Sequence, residues 1–465
     1  MPCFYLIQSL TACILAQEGD LREHGKASLS LNIVIVGCGI GGLAAAHCLG
    51  RAGHNITLLE QSPVIGEVGA GIQVTPNVSR LLIRWGVGDR LDKQGIRPLG
   101  FSFRRYQDGE EVGWSALGEQ MTKDHGAPYY HLHRAELHGA LSELALSYAT
   151  FRLNSRVVSI DPSVPTLTLQ TGEVITADLI IAADGVRSMI REVVVGGPDK
   201  PIPTGDAAYR AIIPTAEMAE DPELKPFLDK PQMNAWMGPN KHVMMYKIRS
   251  TECNLVLCHP DRGATESWTA EGNVDKMREE YKDFEPRVQK ILALVPQTMV
   301  WRLMDREPLS KWIHKDGRVA LMGDACHPML PYRAQGAAMA IEDAAVLGVL
   351  FSHLSDYSQI HPFLSAYESI RYPRTTSTQL SSRLNQRIYH YEDGPEQEAR
   401  DASMREAMLR ALGKAGAEIV PSDNSGNANQ WADKRKNIEQ FSYDAELEAE
   451  KWWRQNGDAL LSSAK

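Results

Sequence analysis

The spacing of hydrophobic positions along the chain divides it into buried strands, amphipathic helices and half-buried strands. Residues 31–36 are a nearly unbroken apolar run rich in Val and Ile, as expected of a strand covered on both faces of a parallel sheet. A glycine-rich turn follows, then residues 43–49 in helical spacing, and residues 55–59 predict a second strand, completing one β-α-β unit. Arg134 opens a predicted helix with Leu137, Leu141 and Leu144 on one face. Short alternating runs over 157–174, broken at Asp161-Pro162 and Thr171-Gly172, predict a meander. Residues 179–183 and 319–322 predict further buried strands, each followed by an Asp and a Gly. Between them, 208–213, 234–237, 242–248 and 254–259 predict an antiparallel sheet inserted in the first domain. Beyond about Arg374 the pattern turns charged and helical, with a loop near 421–429.

The length of 465 residues suits two intergrown domains, and 43% hydrophobic with 23% charged residues is ordinary for a globular protein. A formal charge of −9 with no long basic cluster argues against nucleic acid, which needs a concentrated basic face. Cys3, Cys13, Cys38, Cys48, Cys253, Cys258 and Cys326 are scattered and lack the CxxC spacing of a zinc or dithiol site. Reduced thiols in a cytoplasmic setting are the expectation, with no metal. The apolar stretch 4–16 is too short to span a bilayer and has no Lys or Arg before it, so a cytoplasmic protein is expected, with export or membrane association through this stretch as the alternative.

Gly37, Gly39 and Gly42 fit GxGxxG. In this motif the first glycine permits a tight turn, the second lets the backbone approach a pyrophosphate, and the third lets helix pack on strand. The helix amino end then offers unpaired N–H groups to phosphate. Glu60, after the second strand, can accept hydrogen bonds from an adenosine ribose; the alternative is a glycine-rich turn that binds nothing. One such unit does not separate FAD from NAD. Two later motifs bear on that choice: the run from Ala182 through Asp184, Gly185 and Arg187 to Arg191, and the run Gly323, Asp324, Ala325, Cys326, His327, Pro328 with Gln335, Gly336 and Ala337 after it.

Together these three motifs resemble the class A FAD-dependent aromatic hydroxylases, the family of para-hydroxybenzoate and salicylate hydroxylases. The tail, with Trp431-Ala432-Asp433 and Tyr443-Asp444-Ala445, resembles the fungal branch. The resemblance implies an α/β protein: a GR2-type Rossmann-like FAD-binding domain, an inserted β-sheet substrate domain and a helical C-terminal region. The expected partition is an extension at 1–30, the FAD domain at 31–200 and 301–380, the substrate sheet at 201–300 and the helical region at 381–465. It implies that Asp324 binds the ribityl or pyrophosphate region, and that the helix starting at Gly336 and Ala337 points at the isoalloxazine. Arg134 is expected at the phosphates or ribose, Gly71 in a loop close to the flavin, and Asp184 serving FAD and NADPH (or NADH) together. An arginine merely at a helix start is the alternative for Arg134.

The implied reaction uses NADPH and oxygen to hydroxylate a phenol-like small molecule, in secondary metabolism or aromatic degradation. Homodimer formation is compatible with it. Phenols react best as phenolates, so a cation near the phenolic oxygen is needed. Arg210, on an apolar strand, matches a catalytic arginine of related phenol hydroxylases, with Tyr246 as its partner; the alternatives are an edge-strand ion pair and a packed core tyrosine. A flavin oxidase or dehydrogenase on the same fold, and a non-catalytic FAD-fold carrier, are the competing functions.

Overall fold

The computed structural model describes residues 25–66, 70–263, 271–414 and 424–463, so the apolar run at 4–16, Cys3, Cys13, Gly69 and part of the 421–429 loop lie outside the described residues. Five parallel strands form the first sheet, in the order Val319–Leu321, Leu179–Ala182, Asn32–Val36, Asn55–Leu59, Ala149–Arg152. Ile33, Ile35, Leu58, Ile180 and Ala320 are all buried, which is why these strands read as apolar runs and not as alternating ones. The helices Ile40–Arg51 and Gly336–Ser352 pack together as one layer over this sheet. The expected meander is present as a three-stranded antiparallel sheet, Val157–Asp161, Thr166–Leu169 and Val174–Thr176. Strand order diverges on either side of Asn32–Val36, and a ligand crevice is expected outside the carboxyl ends of strands at such a point.

The second large sheet has eight strands, ordered Glu271–Gly272, Thr298–Asp305, Ile202–Pro214, Glu252–Pro260, Lys241–Arg249, Met233–Gly238, Gly100–Arg105, Glu111–Ala116. It thus draws in two strands from 100–116, a stretch expected from sequence to belong to the FAD domain, through parallel pairing of Phe101 with Met233. Parallel partners need a long crossover, and such pairing leaves no trace in local periodicity. Across the centre of this sheet, alternate residues separate two environments. Tyr209, Ala211, Val243, Met245, Leu255 and Leu257 pack in one core with the helices Val274–Glu280 and Pro286–Ala293. The intervening Arg210, His242, Met244, Tyr246, Val256 and Cys258 face the parallel-sheet domain and line a cavity.

The C-terminal region is helical, with Ile360–Tyr389, Pro395–Ala411 and Ala445–Ser463. The last helix is anchored by Trp85 Nε1 donating to Glu446 Oε1 at 2.9 Å and Arg84 Nη1 donating to Asp444 Oδ1 at 2.9 Å. Among the described residues, no helix is long and apolar enough to cross a membrane.

Candidate active site

A cavity of about 340 Å³ lies between the two sheets. Its floor comes from the glycine turn, the 323–340 segment and Arg134; its roof comes from the eight-stranded sheet. Of the residues singled out from sequence, Gly39, Gly71, Arg134, Arg210, Tyr246, Asp324, Gly336 and Ala337 all line it, and Gly37, Gly42, Glu60 and Asp184 do not.

Those four stand behind the wall. Gly37 has φ of +110°, and a Cβ there would sit 2.4 Å from the Ala183 carbonyl oxygen. A Cβ on Gly42 would meet the Gly37 carbonyl oxygen at 1.9 Å, so both glycines are demanded by the turn itself. Gly39 differs: it is extended, and a Cβ there would have no protein atom within 4 Å. An open space over an exposed backbone, at the start of a 12-residue helix, is the cradle a pyrophosphate fills. Glu60 braces that turn, accepting from Cys38 N at 3.0 Å through Oε2 and from Ser62 N at 2.8 Å through Oε1. Asp184 sits against the start of the helix Met189–Val195; burial pushes its carboxyl up, and Ser188 draws it partly back. Its neighbour Gly185 is the one that reaches the cavity.

Asp324 opens to the cavity while protein encloses it, so burial raises its carboxyl above the usual range against the opposing influence of His327, Arg134 and Arg191. The fully buried Arg191 holds the backbone here, donating to the carbonyls of Ala325 and Asp324 at 2.7 Å each. The helix Gly336–Ser352 presents its amino end beside Asp324 and is tied in place behind. Gln335 donates to Thr75 Oγ1 at 3.0 Å and accepts from Asn77 Nδ2 at 3.0 Å. Asn77 also donates to Glu342, which Arg371 and Arg374 each engage at 2.6 Å. A helix dipole so positioned favours negative charge on a ligand at its amino end. These groups fit FAD: an open pyrophosphate cradle, a carboxylate for hydroxyls, an arginine, and a helix amino end. Asp324→Ala is expected to give folded but flavin-poor protein, because the carboxylate faces the cavity while the backbone carbonyl carries the structural hydrogen bond. The flavin-to-protein absorbance ratio checks this; unchanged occupancy would remove Asp324 from the cofactor site.

Arg210 lies inside the sheet, its strand paired on both sides through Val256 and Met299, and its guanidinium stands 4.4 Å over the Trp301 ring. It also borders a smaller adjoining cavity of about 110 Å³. Tyr246 is buried, its ring 4.5 Å from His131, and burial pushes its phenol up to about 12 despite the nearby Arg210. Its hydroxyl crowds Gly71: a Cβ there would lie 2.7 Å from that oxygen and from Asn254, which also accepts from Gly71 N at 2.7 Å. Among the side chains on the wall that sequence reading did not assign to the site are His242, Phe101, Tyr332, Tyr389 and Trp431. His242 was detectable, since it lies four residues before Tyr246 on the same face of an alternating strand. Tyr389 and Trp431 come from the C-terminal region; Trp431 was noted only as part of the tail motif, and nothing local marks Tyr389.

This crevice, with a dinucleotide cradle on one side and a partly aromatic chamber on the other, fits a flavin-dependent enzyme acting on a flat small molecule. The model of the FAD binding domain family matches residues 30–380, and the chain belongs to that family. It is 39% identical to the FAD-dependent monooxygenase OpS4 of Beauveria bassiana, over 83% of this chain and 90% of that one. It is 34% identical to the 3-hydroxybenzoate 6-hydroxylase of Klebsiella oxytoca, over 77% of this chain and 89% of that one. A salicylate hydroxylase substrate complex shares its fold, with a TM-score of 0.71 at 24% identity over 91% of this chain and 98% of that one. The chain is thus an FAD-dependent enzyme of the aromatic-hydroxylase type, on an α/β FAD-binding fold with a helical C-terminal region.

Proposed function

We propose that this chain uses NADPH and oxygen to hydroxylate a phenolic small molecule bound between Arg210, Tyr246 and His242. The observation that carries this reading is the continuity of one cavity from the cofactor cradle at Gly39 and Asp324 to those three side chains. The chemistry supplied by bound FAD is acceptance of reducing equivalents from NADPH and activation of oxygen. Phe101, Tyr332, Tyr389 and Trp431 give the chamber flat apolar walls suited to a ring. The positive charge of Arg210 favours the phenolate. Burial holds the His242 imidazole well below its ordinary range, so it is uncharged at neutral pH and offers a neutral hydrogen-bonding nitrogen to the phenol oxygen. Tyr246, held in its neutral form, donates or accepts a hydrogen bond and positions the ring. The five described cysteines are all free and buried, which supports a reducing, cytoplasmic setting.

The deciding experiment is product analysis of NADPH-dependent turnover against a panel of phenols. A ring-hydroxylated product formed in proportion to NADPH consumed is the expected result. Hydrogen peroxide as the sole oxygen product with every phenol would point instead to an oxidase.

A further inference from the structure

Gln73 enters the cavity wall from the strand Gly71–Val74, and both ends of its amide are settled by their neighbours. Its Oε1 accepts from the hydroxyl of Tyr129. Tyr129 is fully buried, and burial holds its phenol well above the usual range, so the hydroxyl stays protonated and donates. The Nε2 of Gln73 donates to Met233 Sδ at 3.2 Å. A thioether has lone pairs and no hydrogen, so the nitrogen and not the oxygen belongs on that side. One Nε2 hydrogen is thus held by a weak acceptor, an arrangement easily given up to a better one. The amide also opposes the upward push that burial gives the Tyr246 phenol, as a donor facing that hydroxyl does. Met233 and Tyr246 both line the cavity, so the nitrogen end of Gln73 is the end turned to the ligand.

We propose that Gln73 is a specificity-determining residue, its Nε2 donating to a carbonyl-type oxygen that the substrate carries at a ring position away from the phenol. The proposal rests on the reading of the chamber as a phenol site and names the second group on that phenol. Position in the large sheet separates the two recognitions. Arg210 and Met233 stand on the first and fourth of four adjacent strands, Ile202–Pro214, Glu252–Pro260, Lys241–Arg249 and Met233–Gly238. Three strand spacings of about 4.8 Å place those two backbones about 14 Å apart. Arg210 also borders the smaller adjoining cavity, and Gln73 does not. A ring with polar groups at two positions fits that interval better than a bare phenol does.

The two poles differ in kind. Arg210 brings a positive charge, which suits an ionised oxygen. Gln73 brings a neutral donor whose own oxygen is already occupied by Tyr129, so it can give a hydrogen bond and has little capacity to accept one. An oxygen bound there is within reach of the Tyr246 hydroxyl as well, and a substituent without an acceptor leaves the amide with only its thioether. A site built to donate discriminates against the analogue that lacks the acceptor.

The test uses FAD-loaded enzyme without NADPH and reads dissociation constants from the change in flavin absorbance with three probes. 3-Methylphenol carries no acceptor beside its phenol, 3-hydroxybenzaldehyde an uncharged carbonyl, and 3-hydroxybenzoate a carboxylate. Gln73→Met keeps an unbranched side chain of similar length and removes the donor. It should weaken binding of the preferred carbonyl compound by about tenfold and change 3-methylphenol by less than about twofold. Comparing parent with variant cancels the differing acidities of the phenols. Gln73→Met leaves the buried Tyr129 hydroxyl without its acceptor, so the double variant Gln73→Met with Tyr129→Phe is measured beside it. Replacing both partners removes that penalty, and the double variant should show the same loss. Whichever carbonyl compound loses the more identifies the group read as an uncharged carbonyl or a carboxylate. Parent enzyme that binds none of the three sinks the phenol reading and this proposal together. Equal affinity of the parent for all three, or a carbonyl preference that survives in both variants, overturns the role of Gln73 and leaves the phenol site standing.

Discussion

Gly39→Val should give a protein that folds, purifies without yellow colour and cannot be reconstituted by added FAD. The residue is extended, a backbone region that β-branched side chains favour, and a Cβ there meets no protein atom within 4 Å. The fold therefore has no reason to object. The new methyl groups occupy the space over the helix amino end where the pyrophosphate must come within hydrogen-bonding distance of backbone N–H groups. A loss of about a hundredfold or more in FAD affinity, roughly 3 kcal/mol, is expected. Thermal unfolding must be compared with flavin-stripped parent, because bound ligand itself raises the parent's midpoint. A yellow variant with ordinary flavin occupancy would mean that the pyrophosphate lies elsewhere. Gly37→Val makes the contrast: with φ of +110° and a carbonyl oxygen 2.4 Å from the added carbon, it should fail to fold.

Arg210→Ala should keep FAD and keep oxidising NADPH, while most of the oxygen consumed leaves as hydrogen peroxide. The guanidinium comes from the strand Ile202–Pro214 on the roof of the cavity, while the glycine turn and the start of the helix Gly336–Ser352 form its floor, so flavin is expected to stay bound. Its contribution is to favour the ionised phenol, and each unit of phenol pKa it lowers is about 1.4 kcal/mol. Product formed per NADPH should fall about tenfold for one such unit at a pH below the phenol's own pKa. The sign of the pH effect is a second check. Raising pH ionises the phenol without help, so coupling in the variant should climb toward that of the parent. Coupling equal to the parent at neutral pH would leave Arg210 as a packing partner of Trp301. That role alone is worth about 1 kcal/mol of cation–π attraction.

The parts of the site that were legible in the sequence are those whose chemistry is local. A strand, a tight turn and a helix amino end follow one another within 20 residues, and the constraints on Gly37, Gly39 and Gly42 are set by their immediate neighbours. Arg210 stood out because a charge on an apolar strand is costly unless something meets it. Two things were hidden. The parallel pairing of Gly100–Arg105 with Met233–Gly238 joins segments that look independent along the chain, so the extent of the large sheet could not be drawn from alternation alone. The end of a long helix brings His390 to 2.8 Å from His242, a distance that no motif encodes.

Tyr389 and Trp431 stand on the cavity wall, yet the family model ends at residue 380. Part of the surface facing the ring therefore lies beyond the stretch that the family model covers. Drift or recombination in the tail can redraw the accepted substrate while every cofactor motif stays as it is. For a laboratory seeking new regioselectivity, a library confined to the positions around Tyr389 and Trp431 samples acceptance without risking the flavin.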